Sequence, residues 1–276
     1  IIMTGDHSES ISLHPEHEKL KSAIQKLRTE LSMLVTERDD LLYQECKNIE
    51  MQYMLAVGFL EYQAFELECA VRRLQRKIEL IQAKINRQEA VDLPKIERLL
   101  DFEFAEYQEQ LQEQVRKMNE AVERSQAQPL TGEETRKIKN LYRSIMKTLH
   151  PDLNPDLSQE KLELFYRAVE AYERADLDEM TLIAAILADF EPSAVSAESF
   201  EKLNEEKDRL NQLLKQVKDQ IIQIKSQFPY TMKTFIQSPG KIEARRKEIN
   251  AAIDELNDVY NAYTARIDQI LGESDG

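Results

Sequence analysis

Glycine is scarce in this sequence. There are six among 276 residues, where average usage of about 7% would give roughly 19. Neither GxGxxG nor GxxxxGK occurs, which excludes Rossmann and P-loop phosphate cradles. A β-sandwich, which wants a turn signal every 8–12 residues or so, is equally excluded by so few glycines. Tryptophan is absent, and the two cysteines, Cys46 and Cys69, have no CxxC partner. That argues against a disulfide framework or a zinc knuckle and fits a reducing, cytoplasmic setting. No apolar run approaches the ~18 residues that a bilayer span needs. The start, IIMTGDHSES, lacks a basic segment followed by an apolar block, so no secretory signal is expected, and Met3 is a candidate natural start. Basic residues are outnumbered, 37 against 51, for a net charge of −14. This disfavours binding to nucleic acid or to an anionic membrane.

What is present is a helix-forming composition rich in Glu, Gln, Leu, Lys and Ile, divided by Pro15, Pro94, Pro129, Pro151, Pro155, Pro192, Pro229 and Pro239. From Pro15 onward, Leu20, Leu27, Leu34 and Leu41 recur every seventh residue in register with Leu13, and Ile24 and Leu31 fill the alternate positions. This is an a/d seam, interrupted by Arg38. A second seam joins Leu60, Leu67, Leu74 and Ile81 with Ala64, Val71, Ile78 and Ile85. The pattern fits either one long helix or an antiparallel pair turning between Cys46 and Gly58. Pro94 opens a further helix with Leu100, Phe104, Tyr107, Leu111, Met118 and Val122 on one stripe. Near the C-terminus, a stripe from Phe200 to Phe228 and another from Ile249 to Ile270 flank a turn containing Pro239 and Gly240, the pattern of an antiparallel helical hairpin. The expected organisation is a frayed N-terminus over 1–14, a long-helix or coiled-coil region over 15–127, a distinct module over 128–192 and a C-terminal hairpin over 196–272.

The 128–192 module carries the specific signal. Thr131 and Glu134 form a capping box that starts a helix near residue 132. Ile138, Leu141, Ile145 and Leu149 are its buried stripe, and Pro151 stops it. Ser158 caps a second helix with Leu162, Phe165, Val169 and Tyr172 on one face. Two antiparallel helices then present His150, Pro151 and Asp152 at one tip. The first helix bears Arg136, Lys137, Lys139, Arg143 and Lys147 against only Glu133 and Glu134. A basic helix on an acidic protein suits an acidic docking partner, or is a solvated face paired with the chain's own carboxylates.

This segment resembles the J domain of the DnaJ co-chaperones. The family pattern is a basic helix running into Tyr-His-Pro-Asp, a polar loop often holding Lys-Asn-Pro, then a helix with Phe and Glu-Ala-Tyr-Glu. Here Leu149 stands in the aromatic place before His150-Pro151-Asp152. Asn154-Pro155 lies in the loop, Phe165 precedes Glu170-Ala171-Tyr172-Glu173, and Tyr142-Arg143 matches the usual pair in the preceding helix. The resemblance implies an all-α fold: a J-domain-like hairpin flanked by long antiparallel coiled-coil helices. It also implies docking on the ATPase of a DnaK-type chaperone, whose hydrolysis is stimulated. The partner-binding set would be His150, Pro151, Asp152, Arg136, Lys137, Lys139, Arg143, Lys147 and Asn154. There would be no catalytic residue and no cofactor or metal. The family's short first helix, with its Tyr-x-x-Leu-Gly signature, is missing before Pro129. Either the long helix ending near Val122 supplies that packing surface or the domain is divergent. With no Gly/Phe-rich linker and no CxxCxGxG repeat, the flanking helices are left to choose a client or scaffold protein, or to self-associate.

Other candidates are weaker. His14 and His17, near His7, are spaced for one helix face but lack a third metal ligand. His150 with Asp152 has no Ser or Cys nucleophile beside it in sequence, so an enzyme is not expected. The competing readings are a scaffold protein with a degenerate J-like module and, against the charge balance, a nucleic-acid binder using the basic helix.

Overall fold

The structure, a computed structural model, describes residues 9–127, 130–188 and 200–274. Residues 1–8 of the expected frayed terminus, Pro129, Pro192 and 196–199 lie outside them. The chain is all-α, and no strand occurs among the described residues. Helix α1 spans Glu9–Asp40 and carries Pro15 inside it. A π-helical turn follows at Leu41–Cys46, then α2 (Lys47–Tyr53), a second π-helical turn (Met54–Gly58) and α3 (Phe59–Asn86). No turn therefore separates Cys46 from Gly58. Each π turn adds a residue to the helical repeat and rotates the faces that follow. At Gly58 the backbone is ordinary right-handed helix, but a Cβ there would stand 3.3 Å from Cβ of Met54 and 2.5 Å from its Sδ.

The remaining elements are α4 (Leu93–Glu103), α5 (Ala105–Gln126), α6 (Gly132–Leu149), α7 (Gln159–Glu173), α8 (Leu177–Ala188), α9 (Phe200–Ser226), α10 (Lys233–Ile236) and α11 (Pro239–Ser274). Asp92 caps α4 by accepting from the Lys95 N–H, with Pro94 in its first turn. The stripe expected to run unbroken from Pro94 to Val122 is interrupted at Phe104, and Val122 is exposed. The helices form two compact units, Ile1–Lys47 with Gln128–Thr231, and Asn48–Ala127 with Met232–Gly276.

In the first unit α1 packs along α9. Leu20, Ile24, Leu31 and Val35 meet Leu203, Leu210, Leu214, Val217 and Ile221 in one core. Arg28 reaches Glu206, Glu30 reaches Lys218 and Glu37 reaches Lys225. Both numberings rise together, so the two helices run parallel. In the second unit α3 packs along α11, with Ile81, Ile267 and Ile270 in the core beside Ile96 and Leu100 of α4. Tyr53 meets Phe235, and Glu61 meets Arg245, so this pair is parallel as well. The antiparallel pairing expected for the long helices is thereby corrected. The two C-terminal helices, read as each other's partners over 196–272, lie along α9–α1 and α11–α3 pairings instead. A parallel pair cannot be closed by a short loop, and here well over a hundred residues intervene, as the 178 to 188 residues between ion-paired partners of α1 and α9 attest. Periodicity alone specifies a buried stripe and leaves the partner's direction open.

Candidate functional site

The module formed by α6, α7 and α8 starts as its sequence dictates. The Thr131 hydroxyl accepts from the Glu134 N–H while the Glu134 carboxylate accepts from the Thr131 N–H, the reciprocal pattern of a capping box. That arrangement holds the Glu134 carboxyl below its usual range, through the Thr131 backbone N–H first. Ser158 caps α7 by accepting from the Lys161 N–H. Tyr142 stacks on Tyr172 with ring centroids 4.0 Å apart, and His150 stands edge-on to Phe165 at 5.4 Å. Position rises on α6 as it falls on α7, so these two helices are antiparallel. The third helix, α8, places Met180 and Ile183 fully inside the same core.

One side of the module is covered by α1 and its π-helical extension. Tyr43 packs against the module's core. Tyr142 donates its hydroxyl to Asp39 Oδ2 at 2.7 Å, and Tyr172 donates to Asp40 Oδ1 at 2.8 Å. Lys139 donates to Asp40 Oδ2 at 2.9 Å, and Gln44 donates to the Tyr172 carbonyl. These partners lie 99 to 132 positions apart in sequence. Asp39 is only 2% exposed, and Arg38 closes its second oxygen at 2.6 and 2.8 Å. Arg38, which interrupts the leucine seam in the sequence, thus neutralises a buried carboxylate. Burial, then Asp39, pushes the Tyr142 phenol far above its ordinary pKa; burial and Asp40 do the same to Tyr172. Both phenols stay protonated donors.

The loop after α6 is held from several sides. His150 is 4% exposed. Its Nδ1 faces the Asp152 N–H at 3.1 Å and its Nε2 faces Arg38 Nη2 at 3.4 Å, both donors, and a neutral ring accepts at one of its two nitrogens. Burial lowers the His150 pKa, with Arg38 acting the same way against Asp152 and Asp39. Leu153 is buried in the α1–α9 core, and Arg209 of α9 donates to the Asp152 carbonyl at 2.8 Å. The Asn154 amide donates to the carbonyls of Lys147 and His150 at 3.0 and 3.3 Å, closing the loop over the helix end. The Asp152 side chain remains 40% exposed.

The candidate docking residues therefore divide. Arg136, Lys137, Arg143 and Lys147 are exposed and make no ion pair among the described residues. Lys139 is paired with Asp40, and Pro151, Asp152 and Asn154 are half-buried. His150 is inside, where it shapes the loop from beneath. Asp39, Asp40, Arg38 and Arg209 belong to this site and were not read as site residues from the sequence. The available signal was two adjacent acids just before Leu41, the last leucine of the seam. Among the described residues no group of three His, Cys, Asp or Glu side chains could hold a metal ion; His7 and the His14 side chain lie outside them. Cys46 and Cys69 are buried and form no disulfide with each other. No helix among the described residues is long and apolar enough to cross a membrane.

Comparison with protein-family models, with curated proteins and with solved structures finds no match for this chain.

Proposed function

We propose that this chain is a J-domain-type co-chaperone of the cytoplasm. In this reading α6 and the His150-Pro151-Asp152 loop dock on the ATPase of a DnaK-type chaperone and stimulate its hydrolysis of ATP, and this chain contributes no catalytic group. The long helices on either side serve as arms that select a client or scaffold protein. The observation that carries the reading is the run of exposed cations on α6, Arg136, Lys137, Arg143 and Lys147, unpaired among the described residues, which leads to a half-exposed Asp152 whose backbone is fixed on both sides. Cations on an otherwise acidic protein steer an acidic partner to this face, and binding of this kind weakens with salt. Pre-fixing the loop removes ordering entropy that docking would otherwise cost.

The test is single-turnover ATP hydrolysis by a DnaK-type chaperone from the same cell. The full chain accelerates it, and Asp152→Asn abolishes the acceleration while leaving helicity unchanged. Equal stimulation by both proteins sinks the proposal. Arg143→Ala or Lys147→Ala raises the concentration needed for half-maximal stimulation, whereas Lys139→Ala, whose charge is already matched by Asp40, raises it less.

One observation favours a second reading. His150 is buried and the loop's backbone is occupied by Arg209 within the chain, as a purely structural lock would be. A scaffold protein with a degenerate J-like module predicts no stimulation at any concentration.

A further inference from the structure

The backbone of Asp152 is held from outside its own module. Its carbonyl accepts from Nη1 of Arg209 at 2.8 Å, across 57 positions of sequence. Arg209 lies on α9, which is no part of the J-like resemblance. Its guanidinium is itself clamped. Nε and Nη2 donate to the two carboxylate oxygens of Glu206, one turn back on the same helix, at 2.7 and 2.9 Å. A planar fork fixed along one edge by two parallel bonds presents its remaining N–H groups in one direction. Here that direction is the Asp152 carbonyl.

The clamp reaches α1 as well. Oε1 of Glu206 accepts a further bond from Nη2 of Arg28 at 3.0 Å, 178 positions away. Glu206 keeps only 18% of its side chain exposed. The row Arg28–Glu206–Arg209–Asp152 is therefore complete only while α1 lies along α9. Its charges leave no room for an added anion, since Glu206, Asp152 and Asp156 all face Arg209. What the row does is fix the direction of one backbone group at the tip of the loop. Inside the module the loop is held at other atoms. The Asp152 N–H faces Nδ1 of His150, and Asn154 closes onto the carbonyls of Lys147 and His150. Arg209 adds the constraint that comes from α9.

We propose that Arg209 is the positioning residue of the docking loop and that, through Glu206 and Arg28, it makes stimulation of the chaperone conditional on the pairing of α1 with α9. The inference rests on the co-chaperone reading and supplies its regulation. A closed α1–α9 pair presents Asp152 already oriented. An opened pair releases the Asp152 carbonyl and leaves the loop to be ordered at docking, which costs affinity. The long helices then act on the module besides selecting its client.

The experiment is the same single-turnover assay, titrated with full-length variants, with amide hydrogen exchange in α1 and α9 read alongside. Arg209→Ala is expected to raise the half-maximal concentration about fivefold or more, the loss of one charge-assisted hydrogen bond. Glu206→Gln separates positioning from direct contact. It leaves Arg209 in place, removes the negative charge beside it and loosens the clamp. Positioning predicts a half-maximal concentration about two- to fivefold higher. An Arg209 that touched an acidic chaperone itself would gain from the change, and the concentration would fall. Lys218→Ala breaks another α1–α9 pair, Lys218 with Glu30 at 2.9 Å, further along α9, and should titrate like the wild type. Protection in α1 and α9 should stay at the wild-type level in all three variants; a merely structural role would lower it in step with stimulation and overturn the proposal. An equal loss of stimulation in Lys218→Ala would overturn it too, because the effect would not run through Arg209. If Asp152→Asn abolishes stimulation while Arg209→Ala and Glu206→Gln titrate like the wild type, or if Glu206→Gln docks more tightly, the positioning proposal is overturned and the co-chaperone reading stands. If the wild-type chain gives no stimulation, the co-chaperone reading falls and this regulation falls with it.

Discussion

Each unit is built on two long parallel helices, and the pairs differ in what the N-terminal partner does with its second face. In the first unit α1 gives its apolar face to α9, and its other face buries Ser32, Thr36 and Asp39. Asp39 and Asp40 at its end hold the two stacked tyrosines of the α6–α8 module. In the second unit α3 buries Cys69, Val71 and Ile81, and its cations stay at the surface. Arg73 pairs with Glu97 and Asp101, Lys77 with Glu97, and Arg76 with Glu103, all partly exposed. The buried polar side chains of the described residues, Ser32, Thr36, Asp39 and His150, all fall in the first unit. A buried carboxylate tolerates few substitutes and a solvated one tolerates many. The difference separates a region specified by a polar network from one held by apolar contact.

The largest way to break this contrast is Asp39→Ala. It strands the Tyr142 hydroxyl and the Arg38 guanidinium in a buried place, and removal of one partner from such a pair costs about 3–5 kcal/mol. Two units make a single unfolding free energy ill-defined, so amide hydrogen exchange resolved by segment is the measurement. Protection in α6 and α7 should collapse while that in α3 and α11 is unchanged. Tyr142→Phe removes only the hydroxyl and leaves Asp39 its Arg38 partner, with an expected cost of about 1–2 kcal/mol. If both substitutions cost the same, the carboxylate is not the centre of the network.

The next contrast is in pH. Burial holds the native His150 pKa down, whereas an unfolded histidine titrates near 6.5. Above about 6.5 neither state binds the proton and the contribution to stability is fully present. As pH falls below that value, the unfolded chain takes up a proton that the folded ring refuses, so stability declines until the native pKa is passed. The slope from one group is at most about 1.4 kcal/mol per pH unit. His150→Asn keeps an acceptor for the Asp152 N–H and does not titrate. Protection of α6 and α7 should therefore fall between pH 7 and pH 5.5 or so in the wild type, and fall less in His150→Asn. Parallel curves for the two proteins would remove His150 from the account.

Much of this was legible in the residues. The capping box of Thr131 and Glu134, the Ser158 cap and the seven-residue leucine spacing each follow from local chemistry, so the all-helical class and the ends of α6 and α7 could be read directly. The partner of each long helix could not, because Leu203 and Leu256 belong to stripes of the same period and nothing local distinguishes a parallel partner nearly 190 residues away from an antiparallel one nearby. α8 was missed for a related reason: Met180 and Ile183 sit in an almost wholly apolar run where no polar face reveals the helix. The tip of the module was legible as His-Pro-Asp, but its burial was not. Arg38, Asp39 and Arg209 become its neighbours only when distant segments pack.

The smallest expected effect tests the other side of the comparison. Arg73 joins α3 to α4 through Glu97 at 2.6 Å and Asp101 at 2.8 Å, and these partners retain much of their exposure. Ion pairs in that setting gain little, since water already solvates both members and fixing long side chains costs entropy. Arg73→Ala should lower stability of the α3–α4 region by less than about 1 kcal/mol, and salt should shrink even that difference. The unit's cohesion then rests on Ile81, Ile96 and Leu100, which meet in its core almost without exposure. A loss as large as that of Asp39→Ala would show that the surface pairs of the second unit act as a cooperative network, and the contrast between the two units would disappear.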